Sequence, residues 1–318
     1  MREVHLFIIW KNALNKENEI LDDISNKFEI LNVYKVKWSD ENYSTNLSRF
    51  YSTNLPYGCD KISHCGKGEF LAIVVLDSAP KYDFRVTTVG KAYVNINMFD
   101  SKAKYRALTG GGHKIHCSND SFEANHDLTL LFGKNVEDYL KNVEKTGRKV
   151  ININGDLVGA NGFKDVLEMF YVLNNCTNYA LLRNYECLPD DIYINKHNDI
   201  DLICDNKENV AYALNAKKAQ EEDDRVQYIV NVGDKVANFD IRYVGDCYYD
   251  SDLEKDILKS KVFNDKGFYT IDDDYYFYTL LYHALIHKRS FSKDYLERLV
   301  KMNKNYTLED GNCTVKGK

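Results

Sequence analysis

Apolar residues in this chain recur at two spacings, one of strands and one of helices. Val4-His-Leu-Phe-Ile-Ile-Trp10 is a β-branched and aromatic run that predicts a buried strand. Ile20, Leu21, Ile24 and Phe28 fall on one helical face across residues 18–28. Ile30–Trp38 alternates like a strand, Tyr43–Tyr51 reads as a helix, and Glu69–Leu76 is a strongly apolar strand closed by Asp77-Ser-Ala-Pro80. After His116 a helix is expected with Phe122, Leu128, Leu131 and Phe132 on one face. This βαβ pattern followed by another αβ unit predicts an α+β fold beginning with a ferredoxin-like sandwich.

Glu144-Lys-Thr-Gly-Arg-Lys149 is a charged break and the expected boundary between domains at 1–145 and 150–318. Beyond it, Phe163, Val166, Leu167, Phe170 and Leu173 predict a helix over Gly162–Asn175. Short strands are expected at Tyr179–Leu182 and Asp199–Cys204, with a helix over Asn206–Lys218. Val226–Val232 and Val236–Val244 flank the hairpin-type turn Gly233-Asp234. Helices over Asp252–Val262, Asp273–Lys288 and Ser292–Asn305 close the chain, giving the second half an α/β domain with a helical C-terminus.

The 318 residues suffice for two cores, and 44% hydrophobic with 28% charged residues describes an ordinary globular protein. A net charge of −6 argues against non-specific binding to nucleic acid or an anionic membrane. No run approaches the roughly 18 apolar residues of a membrane span, and Val4–Trp10 is too early and too short for a secretory signal. Eight scattered cysteines without a Cys-x-x-Cys pair suggest neither a zinc site nor a disulfide framework, so a cytoplasmic location is expected.

The chemistry gathers at His197-Asn-Asp199-Ile-Asp201-Leu-Ile-Cys204. Side chains alternate along a strand, so Asp199 and Asp201 share a face. Adjacent buried carboxylates repel and are costly to desolvate; a divalent cation removes both problems, and Mg²⁺ favours a few carboxylates plus substrate phosphates. Asp240 sits at the centre of a later strand and reads either as a third such carboxylate or as an edge-strand acid facing water. His283 and His287, at i and i+4, read first as structural histidines beside a core stripe. Glu221–Asp224 and Asp272–Asp274 read as a solvated loop and a helix N-terminus.

Two resemblances add to this. About the first 135 residues resemble nucleoside diphosphate kinase. Phe7-Ile-Ile-Trp-Lys11-Asn-Ala13 is similar to its opening strand and Lys-Pro-Asp-Ala; His64-Cys-Gly66 and the strand after it resemble Ser-Gly-Pro. Arg106-Ala-Leu-Thr-Gly110 matches Arg-x-x-x-Gly, and His116-Cys-Ser118-Asn-Asp-Ser121-Phe-Glu-Ala124 resembles His-Gly-Ser-Asp-Ser-x-x-x-Ala. The resemblance implies His116 as phosphate carrier, Asp127 orienting it, and Lys11, Arg106 and Ser118 in the nucleotide site. The chain departs from the family at Asn12, Ala13 and Gly112, and the segment before His116 is shortened. As a bland alternative, His113 and His116 are ordinary loop histidines beside a flexible triple glycine.

Residues 160–290 resemble the DNA polymerase beta-like nucleotidyltransferases, with Asp199, Asp201 and Asp240 matching three metal-binding carboxylates. Arg183-Asn184 replaces the family's Gly-Ser turn, with Arg183 supplying charge to a triphosphate, and His197-Asn198 replaces the Gly-Ser before the first Asp. Such carboxylates hold two Mg²⁺ about 3.5–4 Å apart, Asp199 and Asp201 bridging both. The whole chain also resembles proteins of bacterial surface-polysaccharide loci. Together these imply an Mg²⁺-dependent (or Mn²⁺-dependent) transfer of NMP from a nucleoside triphosphate to a small acceptor such as a sugar or polyol phosphate. The rivals are a phosphotransferase through phospho-His116, a non-catalytic nucleotide sensor, and a toxin-type nucleotidyltransferase acting on protein or tRNA. Nucleic acid is disfavoured as a partner, and self-association into a homo-oligomer stays open.

Overall fold

The computed structural model describes residues 2–56, 58–87, 90–192, 199–219 and 227–302, with the backbone of 306–309 and 312–315. It is a mixed α+β fold in two units, residues 1–177 with 208–216, and residues 178–207 with 217–318. The first runs β1 (Glu3–Ile9), α1 (Glu17–Lys27), β2 (Glu29–Lys37), α2 (Tyr43–Phe50), α3 (Asp60–Cys65), β3 (Phe70–Asp77), β4 (Tyr82–Thr87), β5 (Gly90–Asn95), α4 (Ile96–Leu108), β6 (Ile115–Cys117), α5 (Ser121–Phe132), α6 (Val136–Asn142), β7 (Val150–Asn154) and α7 (Val166–Cys176).

Its main sheet has the order β6-β1-β3-β2-β7. β1 is antiparallel to β3 and β6, β2 is antiparallel to β3, and β7 is parallel to β2. Without β7 this is the split-βαβ order that the helix and strand periods predict. One face packs Phe7, Ile9, Ile73 and Val75 against Ile20 and Ile24 of α1 and Met98 and Tyr105 of α4. Trp10, fully buried, meets the rings of Trp38, Phe50, Tyr51 and Phe70 at centroid distances of 4.6–6.3 Å and donates to the Tyr51 hydroxyl at 3.0 Å. Trp10→Ala is therefore expected to cost about 3–5 kcal/mol of stability, read from the urea midpoint of tyrosine and tryptophan fluorescence.

The structure departs from the sequence expectation in several places. The charged break at 144–149 lies inside the first unit, because β7 adds to its sheet and α7 belongs to the same unit. The β4–β5 hairpin interrupts the path from β3 to α4, and its outward Phe84, Val86 and Tyr93 are exposed, so no buried stripe announced it. His116 lies on the short strand β6 rather than in a loop, and Phe122 is exposed while the rest of α5 buries Ala124, Leu128 and Leu131.

The second unit contributes β8 (Tyr179–Arg183), β9 (Asp199–Cys204), β10 (Lys217–Lys218), β11 (Gln227–Val232), β12 (Lys235–Tyr243), α9 (Ser251–Ser260), β13 (Val262–Phe263), β14 (Tyr269–Thr270), α10 (Asp273–Tyr282), a π-helical turn (His283–Lys288), α11 (Lys293–Met302), β15 (Tyr306–Glu309) and β16 (Asn312–Val315). The intervening α8 (Lys207–Ala213) joins the first unit over residues 208–213, where the buried Arg49 donates to the carbonyls of Tyr212 and Ala213. The seven-stranded sheet runs β10-β11-β12-β9-β8-β14-β13, with β9 parallel to β12 and antiparallel to β8. Ala180, Leu182 and Ile203 face a core built by Ile257 of α9, Leu280 of α10 and Leu299 of α11. Asp272 caps α10 by accepting from the Tyr275 amide, as its acidic run suggested. No helix among the described residues is long and apolar enough to cross a membrane.

Candidate functional site

Neighbouring strands of the second unit bring three carboxylates together. Asp240 on β12 is in register with Asp201 on β9, and Asp201 is in register with Arg183 on β8. β12 has β11 on its other side, so Asp240 stands on an interior strand and not on an edge. One oxygen each of Asp199, Asp201 and Asp240 lies within 4.8 Å of the others. A bulge at Leu182 creates the Arg183 pairing. Leu181 pairs with Leu202, but the next register pair is Arg183 with Asp201, so the extra residue turns Arg183 onto the carboxylate face. Asn184 follows in the left-handed region at φ +61°, a strained position for a non-glycine residue. A cavity of about 250 Å³ beside Asp199 is also lined by Gln227 and Asn238. A larger one of about 670 Å³ is lined by Tyr185, Glu186, Asp273, Asp274, Tyr276 and Arg298, and its lining begins one residue past Asn184.

Asp201 is held at both oxygens. Arg183 Nη2 donates to Oδ1 at 2.6 Å and Asn184 Nδ2 to Oδ2 at 3.1 Å. Burial pushes the Asp201 carboxyl up to about 7; Arg183 opposes this, while the Asp199 and Asp240 charges reinforce it. Burial, against the opposing charges of Arg242 and Arg183, also raises Asp240. Arg183 in turn donates to the Tyr248 hydroxyl at 3.1 Å, which bonds His283 Nδ1 at 2.8 Å. His287 bonds the Tyr248 carbonyl at 3.1 Å, and the Arg242 guanidinium lies 4.0 Å from the centre of the Tyr248 ring. The histidine pair thus props Tyr248 against Arg183, the structural role expected from its place beside the core stripe.

That role has a pH signature. Burial, helped by the charge of Arg183, lowers His283 to about 3, below the ordinary value of 6.5. The imidazole is neutral in the fold, so its contribution to stability is complete above pH 6.5 and is lost as pH falls toward 3. Stability is expected to fall by up to about 1.4 kcal/mol per pH unit below pH 6 from this group. Urea midpoints taken from pH 7.5 to 5 should show the decline, with a shallower slope in His283→Gln.

The first unit holds the second constellation. His116 Nε2 and the buried Asp127 are 2.7 Å apart, and Asp127 also bonds His126 Nδ1 at 3.0 Å. Burial alone would raise Asp127, but the charges and hydrogen bonds of His116 and His126 bring it below the usual carboxylate range. With Nε2–H donating to Asp127, Nδ1 carries the lone pair. The His116 ring meets Phe50 and Tyr51 edge-on at 5.0 and 5.5 Å, and Lys61 Nζ lies 3.8 Å from the centre of the Tyr51 ring. Arg106 anchors to the Ile115 carbonyl at 2.9 Å, beside the strand bearing His116. Burial and the nearby charges of Lys61 and Arg106 depress His113. Gly112, at φ +77°, lets this loop approach His64; a β-carbon there would come within 2.9 Å of that ring.

The expected residues therefore separate. Asp199, Asp201, Asp240, Arg183 and Asn184 gather in one unit; His116, Asp127 and Arg106 gather in the other. Lys11 is exposed just past β1, its side chain passing close to Gly68. Ser118 departs from its expected role: wholly buried, it bonds His5 and accepts from the Leu6 amide, tying β1 to the segment after β6. His197, Asn198 and Glu221–Asp224 lie outside the described residues. Tyr51 and Lys61 escaped the sequence reading, because no spacing links them to the residues they touch.

No protein-family model matches the chain, and no curated protein does. Among solved structures, the nucleoside diphosphate kinase of Aquifex aeolicus in an orthorhombic crystal form is similar at 20% identity and a TM-score of 0.30. That likeness covers 43% of this chain and 99% of that one.

Proposed function

We propose that the second unit is a divalent-metal-dependent nucleotidyltransferase that moves NMP from a nucleoside triphosphate to a small hydroxylated acceptor. The observation carrying this is the convergence of Asp199, Asp201 and Asp240 from two parallel strands, with Arg183 beside them. The residues fit a hard cation, preferably Mg²⁺ with Mn²⁺ as substitute. Every donor is oxygen, and Asp240 Oδ1 and Asn184 Oδ1 are buried with no hydrogen-bond partner. When bound, the metal would activate the attacking oxygen and neutralise charge on the phosphates. Asp240, its carboxyl raised by burial, takes the proton of the attacking hydroxyl. Arg183 meets the phosphate chain, and Asn184 fixes the Asp201 carboxylate. The tyrosines and carboxylates lining the 670 Å³ cavity suit the hydroxyls of a sugar or polyol acceptor.

A second reading belongs to the first unit, favoured by the buried His116–Asp127 pair with cations nearby. There we propose a ferredoxin-like, nucleoside-diphosphate-kinase-like module that binds nucleotide and carries phosphate on His116. One experiment separates the two. Label from [α-³²P]NTP with pyrophosphate release, lost in Asp240→Asn, supports transfer by the carboxylates. Acid-labile label from [γ-³²P]ATP, lost in His116→Ala, supports the histidine. Absence of α-label transfer across the four NTPs and a panel of sugar and polyol acceptors would reject the first reading.

A further inference from the structure

The Arg183 guanidinium is paired with the Asp201 carboxylate that a two-ion site would use. In the two-ion scheme Asp201 bridges both metals, yet here its Oδ1 is 2.6 Å from a guanidinium nitrogen and its Oδ2 already accepts from Asn184. A second guanidinium, Arg242, lies 3.3 Å from Asp240 and 3.7 Å from Asp246. Deprotonated, as ligation requires, four carboxylates (Asp199, Asp201, Asp240 and Asp246) thus stand against two fixed cations. The balance of minus two is what one divalent ion neutralises; two ions would overshoot it by the same amount. Neither Arg183 nor its charge can leave cheaply, since the side chain is buried and also bonded to Tyr248.

The open valences point the same way. The Arg242–Asp240 ion pair is misaligned for hydrogen bonding, so both Asp240 Oδ1 and Arg242 Nε lack a hydrogen-bond partner. Asn184, nine-tenths buried and bonded to Asp201 through Nδ2, leaves Oδ1 without one. Unpartnered oxygens therefore lie on the Asp240 and Asn184 side chains, whereas each Asp201 oxygen already accepts from a fixed donor.

We propose that the carboxylate cluster of the nucleotide-free protein takes a single divalent cation, with the Arg183 guanidinium standing where a second would sit. This rests on the reading of the cluster as a metal site. The test is titration of the full chain with Mn²⁺, reading free ion by its paramagnetic resonance signal, in wild type, Arg183→Gln, Arg183→Lys and Asp240→Asn. Wild type and Arg183→Lys should bind one ion per chain. Arg183→Gln should bind two, the first at least about tenfold more tightly because a like charge has been removed. Asp240→Asn should bind none. Two ions in the wild type overturn the proposal even if Arg183→Gln fails to fold. Unchanged stoichiometry and affinity in a folded Arg183→Gln also overturn it, while leaving the metal reading intact. No Mn²⁺ bound by any variant, or an ion that survives Asp240→Asn, rejects the metal reading itself.

Discussion

Asp201→Asn is expected to lower the rate of NMP transfer by about 10³-fold or more, with far-UV circular dichroism unchanged. The size follows from the place of the residue. Asp201 is the middle member of the register row Arg183–Asp201–Asp240, so neutralising it removes one ligand charge and leaves Arg183 without its anion. Asparagine is isosteric and its Oδ1 still accepts from Arg183, so the fold is retained, although stability falls because the buried guanidinium loses its anion. A drop in the rate at saturating triphosphate is the expected form, because the lost interaction strengthens as charge moves in the transition state. Asp252→Asn, an exposed carboxylate in the first turn of α9, is the comparison and should keep the wild-type rate. A full rate in Asp201→Asn would remove the carboxylate cluster from the mechanism.

The second large effect concerns Asp127. If His116 accepts phosphate, Asp127→Asn should slow acid-labile labelling by about 10²–10⁴-fold, and His116→Ala should abolish it. Asp127 receives Nε2–H at 2.7 Å and so sets the tautomer that leaves Nδ1 as nucleophile; asparagine offers an amide that can pair with either tautomer. It would also leave His126 without its anionic partner, at a site where Arg49 and Cys176 are likewise buried. A measured loss of labelling at unchanged stability separates the positioning role from a packing one. Equal labelling in Asp127→Asn and wild type would leave the pair a structural feature of α5.

Local pattern alone was enough for several parts of this protein. The spacing of Ile20, Leu21 and Ile24 made α1, the run Val4–Trp10 made β1, and Gly233-Asp234 made the turn between β11 and β12, since each depends on neighbours within a few residues. The shared face of Asp199 and Asp201 followed from strand alternation in the same way. What needed the tertiary structure was everything joining distant segments. The pairing of Asp240 with Asp201 depends on which strands lie side by side, and a one-residue bulge at Leu182 decides that Arg183 reaches them at all. The membership of β7 and α8 in the first unit, the burial of Ser118 against His5, and the prop of His283 under Tyr248 are likewise set by long-range packing. Residue spacing encodes a face, but only the closure of the chain on itself decides which charge stands opposite it.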